Sequence, residues 1–448
     1  MNIREKYNQA VNEYCAMTPE ASKLFQEAKK TLPGGETRSA AYMYPYPLYI
    51  EKASGTKLFD VDGNEYTDFI NNYTSMLHGH AHPAIEAGII GALGKGTGVT
   101  AVLPEQIELS KVLCDRVPGM DQLRFCNSGT EATMFAIRTA RLFRNRDKIV
   151  KMEGGYHGTS DSVEYNCCTP KLDNGKTFHS EPVPACGGIP DAVGESLIFA
   201  PFNDLNAMEN ILKKQADEIA AVIVEPLLGL VGFITPKPGY LKGLRELTEK
   251  YGVLLIFDEV QSFRLSKGGV QEIEGIIPDL TAMAKIIGGG LPVGAFGGKA
   301  DIMKVFTGGL DAKLSHSGTF NGCRPVMAAG LAAMELYGTD QVQRLNNMGD
   351  RLAEGINKCI AKHALPASLS HWGSLLHIHF VEKVPANYQE SISSNKLLNN
   401  LLHLEMIKRG LYIAPRGSWA LSTAMTQKDI EFAVKTVDEC FGEIKPYF

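Results

Sequence analysis

"TAMAKIIGGGLPVGAFGG", residues 281–298, contains one charged side chain, Lys285, in a run that otherwise reads as buried. Three glycines, Gly288 to Gly290, follow it. An ammonium group in apolar surroundings is costly unless it is paired, neutralised or used chemically. The glycines suggest that backbone must come close to something a side chain would displace. The partners of Lys285 must therefore be sought elsewhere in the chain.

The strand patterns around this stretch set the fold class. From about residue 84 to 300, apolar strand-like runs ("QLRFCNS", "KIVKMEG", "ESLIFAP", "AAVIVEP", "GVLLIFDEV") alternate with helical patterns. That alternation predicts a large, mostly parallel α/β sheet domain. Residues 19–31 read as a short amphipathic helix, and 48–70 as strands turning at "DVDG". Beyond about 325 the chain turns helical, with further strands in "GSLLHIHFV" and "GLYIAPRGSWALS". The expected organisation is an N-terminal segment, 1–75, a large domain, 76–325, and a C-terminal segment, 326–448. The two end segments would together form a smaller α+β domain.

Composition narrows the function. The 448 residues are 44% hydrophobic and 21% charged, with a net charge of -5, which suits a globular chain with a sizeable core. No basic stripe points to nucleic acid, and no polybasic flank points to a membrane. The polar opening "MNIREKYNQAVNEY" lacks a signal-peptide core, so the expected location is the cytoplasm. The nine cysteines are scattered without CxxC spacing, which fits reduced thiols rather than a disulfide framework or a metal site.

Several strand ends carry informative residues, and in such sheets the carboxyl ends are where chemistry sits. Asp258 ends "VLLIFD" 27 residues before Lys285, close to the length of one β-α-β step, so both could reach one sheet edge. It could cap a turn, or serve as a carboxylate held for a cationic ring or metal. Ser128 and Glu131 in "SGTE" fit a capping box, while Gly129 and Thr130 leave N–H groups at a helix start, a ready phosphate site. Tyr156 and His157 in "GGYHG" could be packing residues, or an aromatic face and polar edge for a ligand. "HGHAHP", 78–83, suggests metal by its three histidines, but no carboxylate or cysteine is expected beside it to complete a site, and a turn into a helix after Pro83 suits it better. Two nucleotide motifs fail: "GALGKGT" lacks the first Walker glycine, with Ile89 in its place, and "GGGLPVG" has Val293 where a dinucleotide loop needs glycine. A phosphate-bearing aldehyde cofactor would unite the parts. It would bind Lys285 through its carbonyl, Asp258 through a ring nitrogen, Tyr156 by stacking and the Gly129–Thr130 turn by its phosphate.

The motifs "NSGTEA", "YHG", "VEP", "IFDEV", "AKIIGGGLPVGAFGG" and "HSGTF" run in the order of class III pyridoxal-phosphate aminotransferases of fold type I, which the chain resembles from about 30 to 425. The resemblance implies pyridoxal 5′-phosphate as cofactor, with Lys285 as the catalytic, Schiff-base lysine. It makes Ser128, Gly129, Thr130, Tyr156, His157, Glu225, Asp258 and Val260 cofactor residues. Thr319 of "HSGTF" would reach the phosphate of the neighbouring subunit in a homodimer. Arg38, Tyr73 and Arg416 would bind substrate, the arginines by gripping carboxylate.

Within the family the chain is most similar to glutamate semialdehyde aminomutase and to aminotransferases of β-amino acids such as β-phenylalanine. "DEVQSFR" is one residue shorter than the aminomutase pattern, and "APRGSWALS" resembles the β-amino-acid enzymes rather than the aminomutase's "PSQFE"-like segment. Leu227 and Leu228 in "VEPLLG" stand where many relatives have a glutamine, and "YMYPYP", 42–47, could offer aromatic surface to an aryl substrate. The expected reaction is ping-pong transfer of an amino group from a β-amino acid to 2-oxoglutarate or pyruvate. Intramolecular transfer of the aminomutase type is the alternative.

Overall fold

The computed structural model describes residues 2–172 and 178–448. It divides into two units, one of Met1–His82, Leu345–Val384 and Ser394–Phe448, the other of Pro83–Arg344 and Pro385–Ser393.

In the first unit, strands β1 (Ile50–Ser54), β2 (Lys57–Asp60) and β3 (Glu65–Asp68) form an antiparallel meander. The "DVDG" turn joins β2 to β3 and closes with Gly63 N–H donating to the Asp60 carbonyl at 3.1 Å.

The second unit is built on seven strands: β4 (Gln122–Cys126), β5 (Lys148–Met152), β6 (Leu197–Ala200), β7 (Ile219–Val224), β8 (Leu254–Asp258), β9 (Leu280–Ala284) and β10 (Gly294–Gly298). Their spatial order is β4-β10-β9-β8-β7-β5-β6, with β10 antiparallel to both its neighbours and the other pairings parallel. The mostly parallel sheet is the expected one. β7, β8, β9 and β10 are buried at every residue, which is why they read as continuous apolar runs. Because β10 alone is reversed, β4, β9, β8, β7 and β5 all deliver their carboxyl ends to one edge.

The first unit resumes with β11 (Ser368–Trp372), β12 (Leu375–His379), β13 (Leu411–Tyr412) and β14 (Ser418–Ala420). β13 joins β3 in parallel, while β11, β12 and β14 form an antiparallel sheet. This α+β unit draws on residues up to His82 and on residues from Leu345 onward, except Pro385–Ser393. Two of its elements have no counterpart in the sequence reading: β11 and the helix Ile3–Met17. That helix is capped reciprocally by Asn2 and Glu5, and it buries Ala10, Val11 and Tyr14.

No helix among the described residues is long and apolar enough to cross a membrane.

Candidate active site

The register of the large sheet brings the two central residues together. Asp258, the last residue of β8, pairs with Ala282 of β9, and Lys285 follows β9 directly, so both lie at the same carboxyl edge. Lys285 is half-buried, in contrast to its buried neighbours, and takes a left-handed backbone with φ of 54°. A non-glycine residue in that region is uncommon and clusters at functional sites.

Asp258 is buried at 4% exposure, and both its oxygens are engaged. Oδ2 lies 2.8 Å from His157 Nδ1, and Oδ1 accepts the Val260 N–H at 3.1 Å. Burial pushes the pKa of His157 down, against the pull of the Asp258 carboxylate. A neutral His157 donates through Nδ1–H to Asp258 and so fixes its direction. Glu225, just past β7, accepts the Tyr156 N–H at 2.8 Å and the Gly229 N–H at 3.2 Å. Burial, then the nearby Asp258 charge, push its pKa up to about 8, although both N–H donors favour the anion. Its geometric effect is to pin the loop that carries Tyr156.

Ser128 caps the helix Gly129–Arg144, its hydroxyl accepting the Glu131 N–H at 3.2 Å. The expected capping box is only half made. The Glu131 carboxylate turns instead to Asn127, accepting its backbone N–H at 2.8 Å. The turn at Gly129 and Thr130 thus stands at the start of a sixteen-residue helix. Such an end attracts anions through free N–H groups and the helix dipole.

One of the glycines after Lys285 is required by the protein's own packing. Gly289 takes a φ of 59°, and a Cβ there would meet the Ala329 carbonyl at 2.5 Å. The helix Arg324–Leu336 packs on this backbone, so the glycine serves the protein's own packing.

Thr319 lies on an exposed stretch. The loop is anchored by His316, whose Nδ1 accepts the Arg124 Nε–H at 3.0 Å and whose ring packs on Phe135 at 4.3 Å. Burial holds His316 down at about 4. Asn321 links it to the turn before the helix Gly129–Arg144, accepting from Asn127 at 2.7 Å and lying 3.3 Å from His316 Nε2. Sequence reading missed this relay, because nothing in "HSGTF" says what His316 faces. It also missed Lys151, a charge in the apolar run "KIVKM" just as Lys285 is in its own. Lys151 is fully buried, donating to the Val163 and Tyr165 carbonyls at 2.8 and 2.5 Å, with its pKa pushed down to about 8 by burial.

Arg38, Tyr73 and Arg416 come together within the first unit. The guanidinium carbons of Arg38 and Arg416 lie 4.8 and 5.1 Å from the centroid of the Tyr73 ring. Arg38 also donates to Asn72 Oδ1 at 2.6 Å, and the Tyr73 hydroxyl donates to the Ala40 carbonyl. Tyr73 sits in a run of four left-handed residues, Asn71 to Thr74, with φ between 48° and 77°. Left-handed residues normally occur singly. The "YMYPYP" stretch divides: Tyr44 is exposed, whereas Tyr46 is core, packed on Tyr14 and Phe25. Two histidines of "HGHAHP" are held by side chains distant in sequence, and His80 meets a carboxylate that the sequence reading did not place beside it. His78 bonds Thr423, His80 bonds Asp68, and the helix Pro83–Leu93 follows.

The donor set of the second unit fits a phosphorylated pyridine aldehyde: a helix start for the phosphate, a buried carboxylate with an oriented neighbour for a ring nitrogen, and an amine for the aldehyde. Comparison with known proteins agrees. The class-III aminotransferase family matches residues 39–439, and the chain belongs to that family of pyridoxal-phosphate enzymes with the type I fold. Glutamate-1-semialdehyde 2,1-aminomutase 2 of Brevibacillus brevis is 39% identical over 435 residues, 96% of this chain and 99% of the relative. Among solved structures, an omega-transaminase from Sphaerobacter thermophilus superposes with a TM-score of 0.90 at 39% identity, covering 94% of this chain and 97% of that one. A β-phenylalanine aminotransferase from Variovorax paradoxus gives 0.90 at 33%, covering 99% and 98%.

Proposed function

We propose that the enzyme moves an amino group on a small carboxylate-bearing amino acid, and that Lys285 is the residue that carries the proton transfers. When bound, pyridoxal phosphate supplies an aldehyde for amines and a ring that draws electrons from the carbon beside the nitrogen. Asp258, aimed by His157, would hold the ring nitrogen protonated. Glu225 would fix Tyr156 for stacking, and Ser128, Gly129 and Thr130 would hold the phosphate at the helix start. Lys285, as a free amine, would remove and return the proton at the amine-bearing carbon. The geometry behind this is the shared edge of Asp258 and Lys285.

Of the two finer readings, the named curated relatives favour intramolecular transfer of the glutamate-1-semialdehyde type, the order opposite to the one read from the sequence. Transamination of a β-amino acid is the second reading, and a specific observation favours it. Arg416, on the "PRG" turn, shares the Tyr73 ring with Arg38, giving two guanidinium groups for carboxylates. Turnover with and without an added keto acid decides between them. An aminomutase runs on its single substrate, whereas a transaminase stops after one half-turnover.

The enzyme is also proposed to be a homodimer, with Thr319 serving the partner's cofactor. Exposed Ile90, Val102, Ile107 and Phe320 in the second unit are apolar side chains that such a contact would cover. Sedimentation in solution tests it.

A further inference from the structure

The turn that carries Arg416 is tied down from beneath. Gly417 takes a φ of 99°, its carbonyl accepts the Ile378 N–H at 3.1 Å, and Ala414 N–H closes on the Ser418 carbonyl, also at 3.1 Å. A Cβ at Gly417 would come within 2.8 Å of the Ile378 carbonyl, so this turn needs glycine to lie against β12. Where the turn enters β14, Ser418 stands directly across from His377 of β12. Ser418 Oγ lies 2.8 Å from His377 Nδ1 and 3.3 Å from Arg416 Nε. Two residues on, and so on the same face of the strand, His379 packs its ring 4.3 Å from that of His377 and bonds Ser370 Oγ at 2.8 Å. His377, His379, Ser370 and Ser418 are all buried.

The hydrogen-bond directions are constrained by what Arg416 can do. Its Nε–H can only donate, so Ser418 Oγ accepts there, and the serine proton is available to donate to His377 Nδ1. That requires a neutral imidazole with its proton on Nε2. Burial first, then the neighbouring His379 and Arg416, push the pKa of His377 well below the ordinary histidine value. A second charge so close to the guanidinium would also repel it.

We propose that His377, acting through Ser418, is a positioning residue that sets the orientation of Arg416 for a substrate carboxylate. It never touches the substrate. It holds the serine hydroxyl in the one rotamer that accepts from Nε, and the guanidinium then stays over Tyr73. The inference rests on the reading of Arg416 as a carboxylate-binding residue, and the test separates the two.

The full-length holoenzyme is assayed with the carboxylate donor that the keto-acid experiment selects, glutamate 1-semialdehyde or β-phenylalanine, and with 1-phenylethylamine, which has no carboxylate. Arg416→Ala is expected to raise KM for the carboxylate donor by about tenfold or more, as loss of a charge-assisted pair does. His377→Ala and Ser418→Ala are expected to raise the same KM by roughly three- to tenfold, with kcat little changed and the amine unaffected. His377→Asn, whose amide oxygen can take the serine proton, should recover much of the loss. In an Arg416→Ala background the His377 and Ser418 changes should have no further effect. Unchanged KM in Arg416→Ala overturns the carboxylate reading and the inference with it. A normal Arg416→Ala effect overturns the positioning role alone if His377→Ala and Ser418→Ala leave KM unmoved, or if they weaken amine and carboxylate donors equally. Ser418→Ala removes one oxygen and keeps the test open should His377→Ala fail to fold.

Discussion

His157 Nδ1 lies 2.8 Å from Asp258 Oδ2, with both side chains buried at the carboxyl edge of the large sheet. Each oxygen of a carboxylate so held keeps a second lone pair for a further cationic partner. Asp258→Asn should therefore lower kcat by about a hundredfold or more, since a neutral amide cannot stabilise a protonated ring nitrogen. His157→Asn should give a smaller loss, because Val260 N–H still orients the other oxygen. Steady-state kinetics on the two variants checks the order, and equal losses would contradict it.

Lys285→Ala provides a test independent of turnover. Borohydride reduction of the holoenzyme should tag one peptide, the one containing residue 285, and mass spectrometry of the variant should find none. A tag on Lys151, the other lysine set in an apolar run, would reassign the chemistry.

Tyr73 underlies two guanidinium groups at once. Cation–π contacts are worth about 0.5–2 kcal/mol each, so Tyr73→Ala should raise KM for a carboxylate donor roughly tenfold. Tyr73→Phe keeps the ring and should keep most of the affinity. If alanine and phenylalanine behave alike, the ring is not what supports the arginines.

The fold's response to acid should be carried in part by His403. Burial holds its pKa at about 3, against an ordinary value of 6.5. Between those values only the unfolded chain takes up the proton, so stability falls as pH is lowered. At pH 5 this one group accounts for about 2 kcal/mol. Urea unfolding at pH 7.5 and pH 5 should show a smaller loss in His403→Gln than in the parent.

The large sheet and its edge are visible in the sequence because continuous apolar runs ending in Asp258, Lys285 and Glu225 report strands buried on both faces. The Ser128 cap is visible for a similar reason, as its signal is local. Other features escape because their cause is distant. "HIHF" reads as a strand, but only the pairing of β12 with β14 sets His377 against Ser418. "NNYT" has no marker that it winds left-handed, beyond the tolerance of asparagine for that conformation. The role of Gly289 depends on a helix some forty residues later. The helix Ile3–Met17 had a legible signal in Asn2 and Glu5, a capping pair in a stretch whose polarity hid it.

The left-handed run at Asn71–Thr74 has a consequence for how substrates are met. Each such residue costs about 1–2 kcal/mol in a relaxed chain, and it persists here because the surrounding backbone over-determines it. The aromatic plate shared by two cations is thereby cast in main chain, ahead of any encounter. On the proposed reading of Arg38 and Arg416, a substrate carboxylate arriving there would find its counter-charges already set and would give up little extra freedom to engage them.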